Sequence, residues 1–227
     1  EKIFNKYHPD GIIIATGRSR ELDFNVSQFH LCNTVLLNCW VNDFKGISIL
    51  PSDYQSTKKI IKKLIDLKKK NIAIILPQEF IWQGYEDRLS GWRDAHFEKN
   101  ITINPALRCK PNRNKKFSSE SEIGYEALTK LINKKIKFDA IFAMNDMLAM
   151  GCYQAAKEKK LEIPKNFSII GFDNSVTAFN LRPSLSSIQL PIAEMTGKAI
   201  QHIFDDKNYD ENYKVYVECN LVERNSI

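Results

Sequence analysis

Two pairs of side chains in this sequence could hold a small polar molecule: Asn145-Asp146 and Asp173-Asn174. Each pair follows an apolar run, AIFAM (140–144) and FSIIGF (167–172), and an amphipathic stretch lies between them. Carboxylates accept hydrogen bonds and amides both donate and accept, so such groups suit a ligand rich in hydroxyls. Asn145 or Asp146 also suits the N-cap of the helix that follows, and the two uses stand even. No strongly periodic helix follows Asp173, which weakens the capping explanation there. Gly171 inside its strand predicts close approach of another backbone. Arg88, in EDRLSGWRDAH, carries a planar donor fork; read from its surroundings alone it is more simply a surface ion pair. Asn38 ends the run TVLL and either closes its own turn or meets a ligand. Phe80, Trp82 and Phe117 stand in polar surroundings, as loop anchors or as stacking aromatics.

Catalysis finds no matching arrangement. GxGxxG, the Walker-type phosphate loop, GxSxG and HExxH are all absent, and no acid pair has a catalytic spacing. His8, His30, His96 and His202 are dispersed. Cys32, Cys39, Cys109, Cys152 and Cys219 form no CxxC pair, so neither a zinc site nor a disulfide framework is expected. They read as buried thiols of a cytoplasmic protein. No cofactor is expected, and the chain is read as a non-enzyme.

The elements that must position these residues alternate. Short apolar runs at 11–15, 34–37, 46–50, 71–76, 140–144 and 167–172 suit strands buried on both faces of a parallel sheet. Between them the periodicity predicts helices near 20–30, from Ser52 or Asp53 to about Lys69, and at 85–97, 122–133 and 191–204. A weak strand is expected within 101–107, a polar loop over 109–121 and an extended segment over 213–222. This pattern argues an α/β fold.

The 227 residues carry a net charge of +6, with lysines concentrated at 58–70, 110–116 and 130–137. Aromatic residues do not interleave with them, so solvated helix faces are favoured over a nucleic-acid surface. The lysine surplus would suit an anionic ligand. No run approaches the length of a membrane span, and the N-terminal residues lack the apolar core of a signal peptide.

Five stretches, in order, resemble the effector-binding domain of lac repressor (LacI/GalR) family transcription regulators. They are HPDGIIIA (8–15), 52–75, DRLSGW (87–92), AIFAMNDMLAMG (140–151), and IPKNFSIIGFDNS followed by RPSLSSIQLPIAEMTGKA (163–199). The resemblance implies two doubly wound parallel-sheet lobes of periplasmic-binding-protein type I, crossed three times near Ser52, Gln189 and Glu218. The lobes would comprise residues 1–51 plus 190–217, with an incomplete N-terminal part, and 52–189 plus 218–227. The family's DNA-binding headpiece would be absent from this stretch. A small effector, most often a sugar, would sit in the cleft between lobes on Asp173, Arg88, Asn145 and Asn38 (usually an aspartate in the family). Phe117 falls where some members supply an aromatic. A homodimer that alters its affinity for operator DNA, with no membrane association, is the implied whole. The rivals are an extracytoplasmic sugar-binding protein of a transporter and an enzyme on a doubly wound fold.

Overall fold

The computed structural model describes residues 6–15, 32–41, 44–78, 83–112, 114–204, 209 and 211–227. The helix expected at 20–30 and the aromatics Phe80 and Trp82 lie outside them. The chain divides into two compact units, with changes of unit at Ser52/Asp53, Leu190/Pro191 and Glu218/Cys219, and with Gln83 grouped in the first.

The first unit holds a four-stranded parallel sheet in the order β1–β2–β3–β9, made of β1 (Gly11–Ala15), β2 (Asn33–Leu37), β3 (Gly46–Pro51) and β9 (Asn212–Val217). All six residues of β3 are buried, as expected for an inner strand. Helix α6 (Ile192–Ile203) packs against β1, β2 and β3 and buries Met195 and Ala199. Leu36, Cys39 and Phe44 form a small core with Ile14 and Val41.

The second unit holds a six-stranded sheet in the order β10–β8–β7–β6–β4–β5. Its strands are β4 (Ile72–Ile75), β5 (Arg108–Cys109), β6 (Ala140–Ala143), β7 (Ser168–Asp173), β8 (Ser186–Gln189) and β10 (Leu221–Val222). Every pairing is parallel except β10 with β8. The helices are α1 (Asp53–Asp66), α2 (Gln83–Glu98), α3 (Glu120–Asn133), α4 (Asp146–Glu158) and the short α5 (Val176–Asn180). One continuous core joins the β4, β6 and β7 side chains to Ile61 and Leu64 of α1, Trp92 of α2, Leu128 of α3 and Leu148 of α4. At about 25 cal/mol per Å² of apolar surface, burial of this kind is what holds such a unit together. Close approach of α3 to α4 depends on glycine: a Cβ on Gly151 would lie 1.8 Å from the Ser121 carbonyl oxygen.

Three of the boundaries that differ from the sequence expectation have a clear local reason. Helix α1 stops at Asp66 because Lys68 turns left-handed, at φ 66°, and Lys69 N–H closes back on the Leu64 carbonyl at 3.0 Å. The weak strand expected within 101–107 is a 3₁₀ turn, Pro105–Leu107, with the strand itself, β5, just beyond. Pro105 removes a ladder donor, and the Asn104 side chain accepts from Ala106 N–H at 3.0 Å to start the turn. Helix α3 begins at Glu120, inside the expected polar loop, because Ser119 is extended and caps Glu122 N–H at 3.3 Å.

Candidate functional site

Parallel strands end together, so the residues that follow β6 and β7 fall at one carboxyl edge of the six-stranded sheet, where open α/β sheets bind ligands. Asp173 ends β7, and Asn145 caps α4 immediately after β6. Arg88, from the first half of α2, reaches the same place with 1% of its side chain exposed. Its Nε donates to Asp53 Oδ1 at 2.7 Å, its Nη1 donates to the Met144 carbonyl, and its Nη2 stands 4.0 Å from Asp173 Oδ1. The guanidinium carbon lies 3.4 Å from the centroid of the Phe172 ring and 5.6 Å from that of Tyr85. A guanidinium stacked on a ring face is held electrostatically as well as by contact. The surface ion pair suggested by the sequence is thus replaced by a buried one.

Asn145 does both things the sequence left open. Its Oδ1 accepts from Leu148 N–H at 2.9 Å, and its Nδ2 donates to Glu120 Oε2 at 2.6 Å and to the Tyr85 hydroxyl at 3.5 Å. Asp146 is structural. It is 1% exposed; Oδ1 accepts from the Ser187 hydroxyl at 2.6 Å, and Oδ2 accepts from Ser175 N–H at 2.7 Å and its hydroxyl at 2.9 Å. Gly171 corrects one expectation. What approaches it is a side chain and not a backbone: a Cβ there would lie 2.2 Å from Asp146 Oδ1.

The backbone at Asp173 is unusual, with φ 103°, followed by Asn174 at φ 53°. A non-glycine residue in this region costs roughly 1–3 kcal/mol and persists where the surroundings over-determine it. Here Asn174 N–H donates to Ser187 Oγ at 3.0 Å, and Arg224 Nη2 donates to Asn174 Oδ1 at 2.6 Å. Those two bonds hold the turn that presents Asp173.

The electrostatics follow from burial around one cation. Burial pushes the Asp53 carboxyl up to about 6, against the charge and hydrogen bond of Arg88. Burial pushes Asp173 up to about 7, with Arg88 opposing and Asp146, Asp53 and Glu120 reinforcing. The Asp173 side chain is 42% exposed, so water offsets part of that desolvation while the upward direction stands. Burial also raises Glu120, opposed by the Asn145 hydrogen bond and by Arg88.

Among the sequence-derived site residues, the structure therefore assembles Arg88, Asn145 and Asp173. Phe117 is partly buried against the same unit's core, with Lys115 Nζ 4.6 Å from its ring centroid. Asn38 lies in the four-stranded unit, at φ 59°, with its N–H donating to the Ile49 carbonyl at 2.8 Å. Sequence reading missed Asp53, Tyr85 and Glu120. Asp53 carries a signal close to that of Asp173, an acid at the carboxyl end of an apolar strand, but in sequence it is explained as well by a helix cap. Among the described residues, no group of three or more His, Cys, Asp or Glu is arranged to hold a metal ion, and no helix is long and apolar enough to cross a membrane.

Buried donors and partly open acceptors gathered at the carboxyl edge of a parallel sheet define the ligand-binding class of α/β protein. Comparison with known proteins gives the same class. Residues 61–227 match the periplasmic binding protein-like domain. The ribose operon repressor of Haemophilus influenzae is 29% identical over 223 residues, 96% of this chain and 64% of the repressor. A regulatory protein of the LacI family from Chloroflexus aggregans superimposes with a TM-score of 0.81 at 23% identity, covering 99% of this chain and 79% of that one. A LacI family transcriptional regulator from Enterococcus faecium with bound ribose gives 0.77 at 22% identity, covering 98% and 81%. The chain belongs to the periplasmic binding protein-like domain family. It spans between 40% and 65% of the length of the curated relatives it matches.

Proposed function

We propose that this chain is the effector-sensing part of a transcription regulator and that its effector is a small hydroxyl-rich molecule, a sugar first of all. The observation that carries this reading is the Arg88–Asp173 edge: a buried, doubly anchored guanidinium 4.0 Å from a half-exposed carboxylate on a strained turn. Adjacent hydroxyls of a sugar can donate to the Asp173 carboxylate while a ring or hydroxyl oxygen accepts from the guanidinium. Hydrogen bonds to ionised groups of this kind are roughly twice as strong as neutral ones. Tyr85, partly exposed, gives the apolar body of a sugar ring something to lie against, while the buried Phe172 ring backs the guanidinium. Asn38 and Phe117 are proposed as further effector residues on the family resemblance. Ribose, bound by the Enterococcus faecium regulator, is the natural first ligand to test.

In this reading the molecule binds and releases its effector unchanged, and no turnover is involved. Effector binding biases the conformation of a homodimer and, through linkage, the affinity of the whole protein for operator DNA. Isothermal titration of ribose, glucose and galactose into the chain and into Asp173→Ala tests the site. Heat of binding is expected from the parent chain and is lost in the variant. Equal binding by both would remove Asp173 from the site and the reading with it.

A further inference from the structure

We infer that the effector carries no phosphate or carboxylate, and that Glu120 is the residue that enforces this. The inference rests on the effector-site reading above and narrows its ligand class to uncharged or amine-bearing sugars.

Arg88 is the cation of the described network, and Asp53 already answers it at 2.7 Å. Asp173 and Glu120 remain, and when ionised they add two negative charges that this pair does not balance. Their proximity is felt electrostatically, since Glu120 is among the causes that raise the Asp173 carboxyl. Among the described residues of this unit, several other basic side chains are engaged elsewhere. Arg224 donates to Asn174 Oδ1 and to the Leu185 carbonyl. Lys115 pairs with Glu126 at 2.6 Å and Glu122 at 3.5 Å. The α1 lysines Lys58 and Lys62 pair with Glu98, and Lys63 pairs with Glu223. Among the described residues of this unit, the charge gathered at this edge is therefore negative, unlike that of the chain as a whole.

Glu120 is placed for this role by the start of α3. Its Oε2 takes the Asn145 amide at 2.6 Å. A carboxylate has about four lone-pair positions, so acceptor capacity remains after that bond. A hydroxyl or an ammonium can donate to it. A phosphate has only acceptors to offer and would meet two carboxylates where water is partly displaced and their repulsion weakly screened.

The test uses ribose, glucose, galactose, glucosamine, ribose 5-phosphate and glucose 6-phosphate, titrated calorimetrically into the chain and into Glu120→Gln at about pH 8, above the value to which Asp173 is raised. At least one uncharged sugar or glucosamine is expected to bind, with any phosphorylated counterpart weaker by about tenfold or more. Glu120→Gln, which keeps the shape and a hydrogen bond to Asn145, is expected to shrink that ratio several-fold while melting like the parent. A phosphorylated sugar binding as tightly as its parent overturns this inference alone. An unchanged ratio in Glu120→Gln overturns the role of Glu120. No binding by any of the six overturns the effector-site reading as well.

Discussion

Asp53 and Arg88 form an ion pair between the first turn of one helix and the second turn of another, Oδ1 to Nε at 2.7 Å, with 3% and 1% of their side chains exposed. Asp53 leads α1 and Arg88 sits near the start of α2, so the pair ties the two helices as well as aiming the guanidinium. Breaking a buried pair leaves one charge desolvated and uncompensated, typically at a cost of about 3–5 kcal/mol. Asp53→Ala is expected to destabilise by that order and to abolish sugar binding even where the protein is still folded. Urea unfolding and calorimetry check the two parts separately. A variant with unchanged stability would mean that Arg88 finds another partner at once.

This pair also shows where sequence reading stops. The strands of the second unit were legible because apolar runs such as AIFA and SIIGF leave little else for them to be. The polar residues after them were legible for the same reason, since the sheet's carboxyl edge follows once the strands are placed. Asp53 was not, because its partner stands 35 positions away and a helix-cap role explained it locally. Glu120 was hidden in a polar segment whose conversion to helix depends on the extended backbone of Ser119. Nothing in composition separates a buried arginine from an exposed one; Arg88 is buried because a ring, a carboxylate and a carbonyl surround it. The left-handed turn at Asp173 is likewise a property of Ser187 and Arg224, both remote in sequence.

Effector binding should depend on pH through Asp173. Its carboxyl is held up to about 7, chiefly by burial. If the ionised form accepts the sugar hydroxyls, the protonated form must lose a proton before binding. Affinity is therefore expected to be full above about pH 8 and to fall as pH drops through 7, approaching tenfold per unit. Asp173→Asn is expected to bind weakly with a flatter profile. Titrations of the sugar found to bind, across about pH 5.5 to 8.5, decide the matter. A parent profile that stays level through 7 would show that the acceptor role belongs to another group.

Stability should also fall on acidification through His96. This ring is 1% exposed, its Nδ1 is 2.8 Å from the Trp92 carbonyl, and burial lowers its pKa. An unfolded histidine takes a proton near pH 6.5. The folded one resists until lower pH, so its contribution to stability is present above that value and is lost as pH falls below it. Asp53 and Asp173 run the other way. Their folded values are raised to about 6 and about 7, so their contribution is full below the unfolded carboxylate range and is lost as pH rises through those values. The observed curve is the sum. The difference between the parent chain and His96→Leu isolates the imidazole: the parent should lose stability relative to the variant on acidification from about pH 7 to about pH 5. Parallel urea midpoints over that range would show that His96 does not titrate with unfolding.

Asp146 holds the two halves of the site in register. It accepts three hydrogen bonds, from the Ser187 hydroxyl at 2.6 Å, Ser175 N–H at 2.7 Å and the Ser175 hydroxyl at 2.9 Å, and it adjoins Asn145. Through Ser175 and Ser187 it fixes the turn that carries Asp173. An asparagine there has one acceptor oxygen; with that oxygen kept on Ser175, its N–H₂ faces the Ser187 hydroxyl, which must turn to accept and gives up its charge-assisted bond, at a cost of about 1–3 kcal/mol in stability. A comparable acid supplies the control. Asp139 also accepts three bonds, from Lys70 N–H at 3.1 Å and from Asn71 N–H and Nδ2 at 2.9 Å, but it stands at the amino end of β6. Asp139→Asn and Asp146→Asn are both expected to lower the urea midpoint. Only Asp146→Asn is expected to weaken sugar binding as well, by about tenfold, because a shift of a few tenths of an ångström at Asp173 loses directed hydrogen bonds. If both variants weaken binding alike, loss of affinity reflects general loosening of the unit. If neither does, the Asp173 turn is held by Arg224 and Asn174 without help from Asp146.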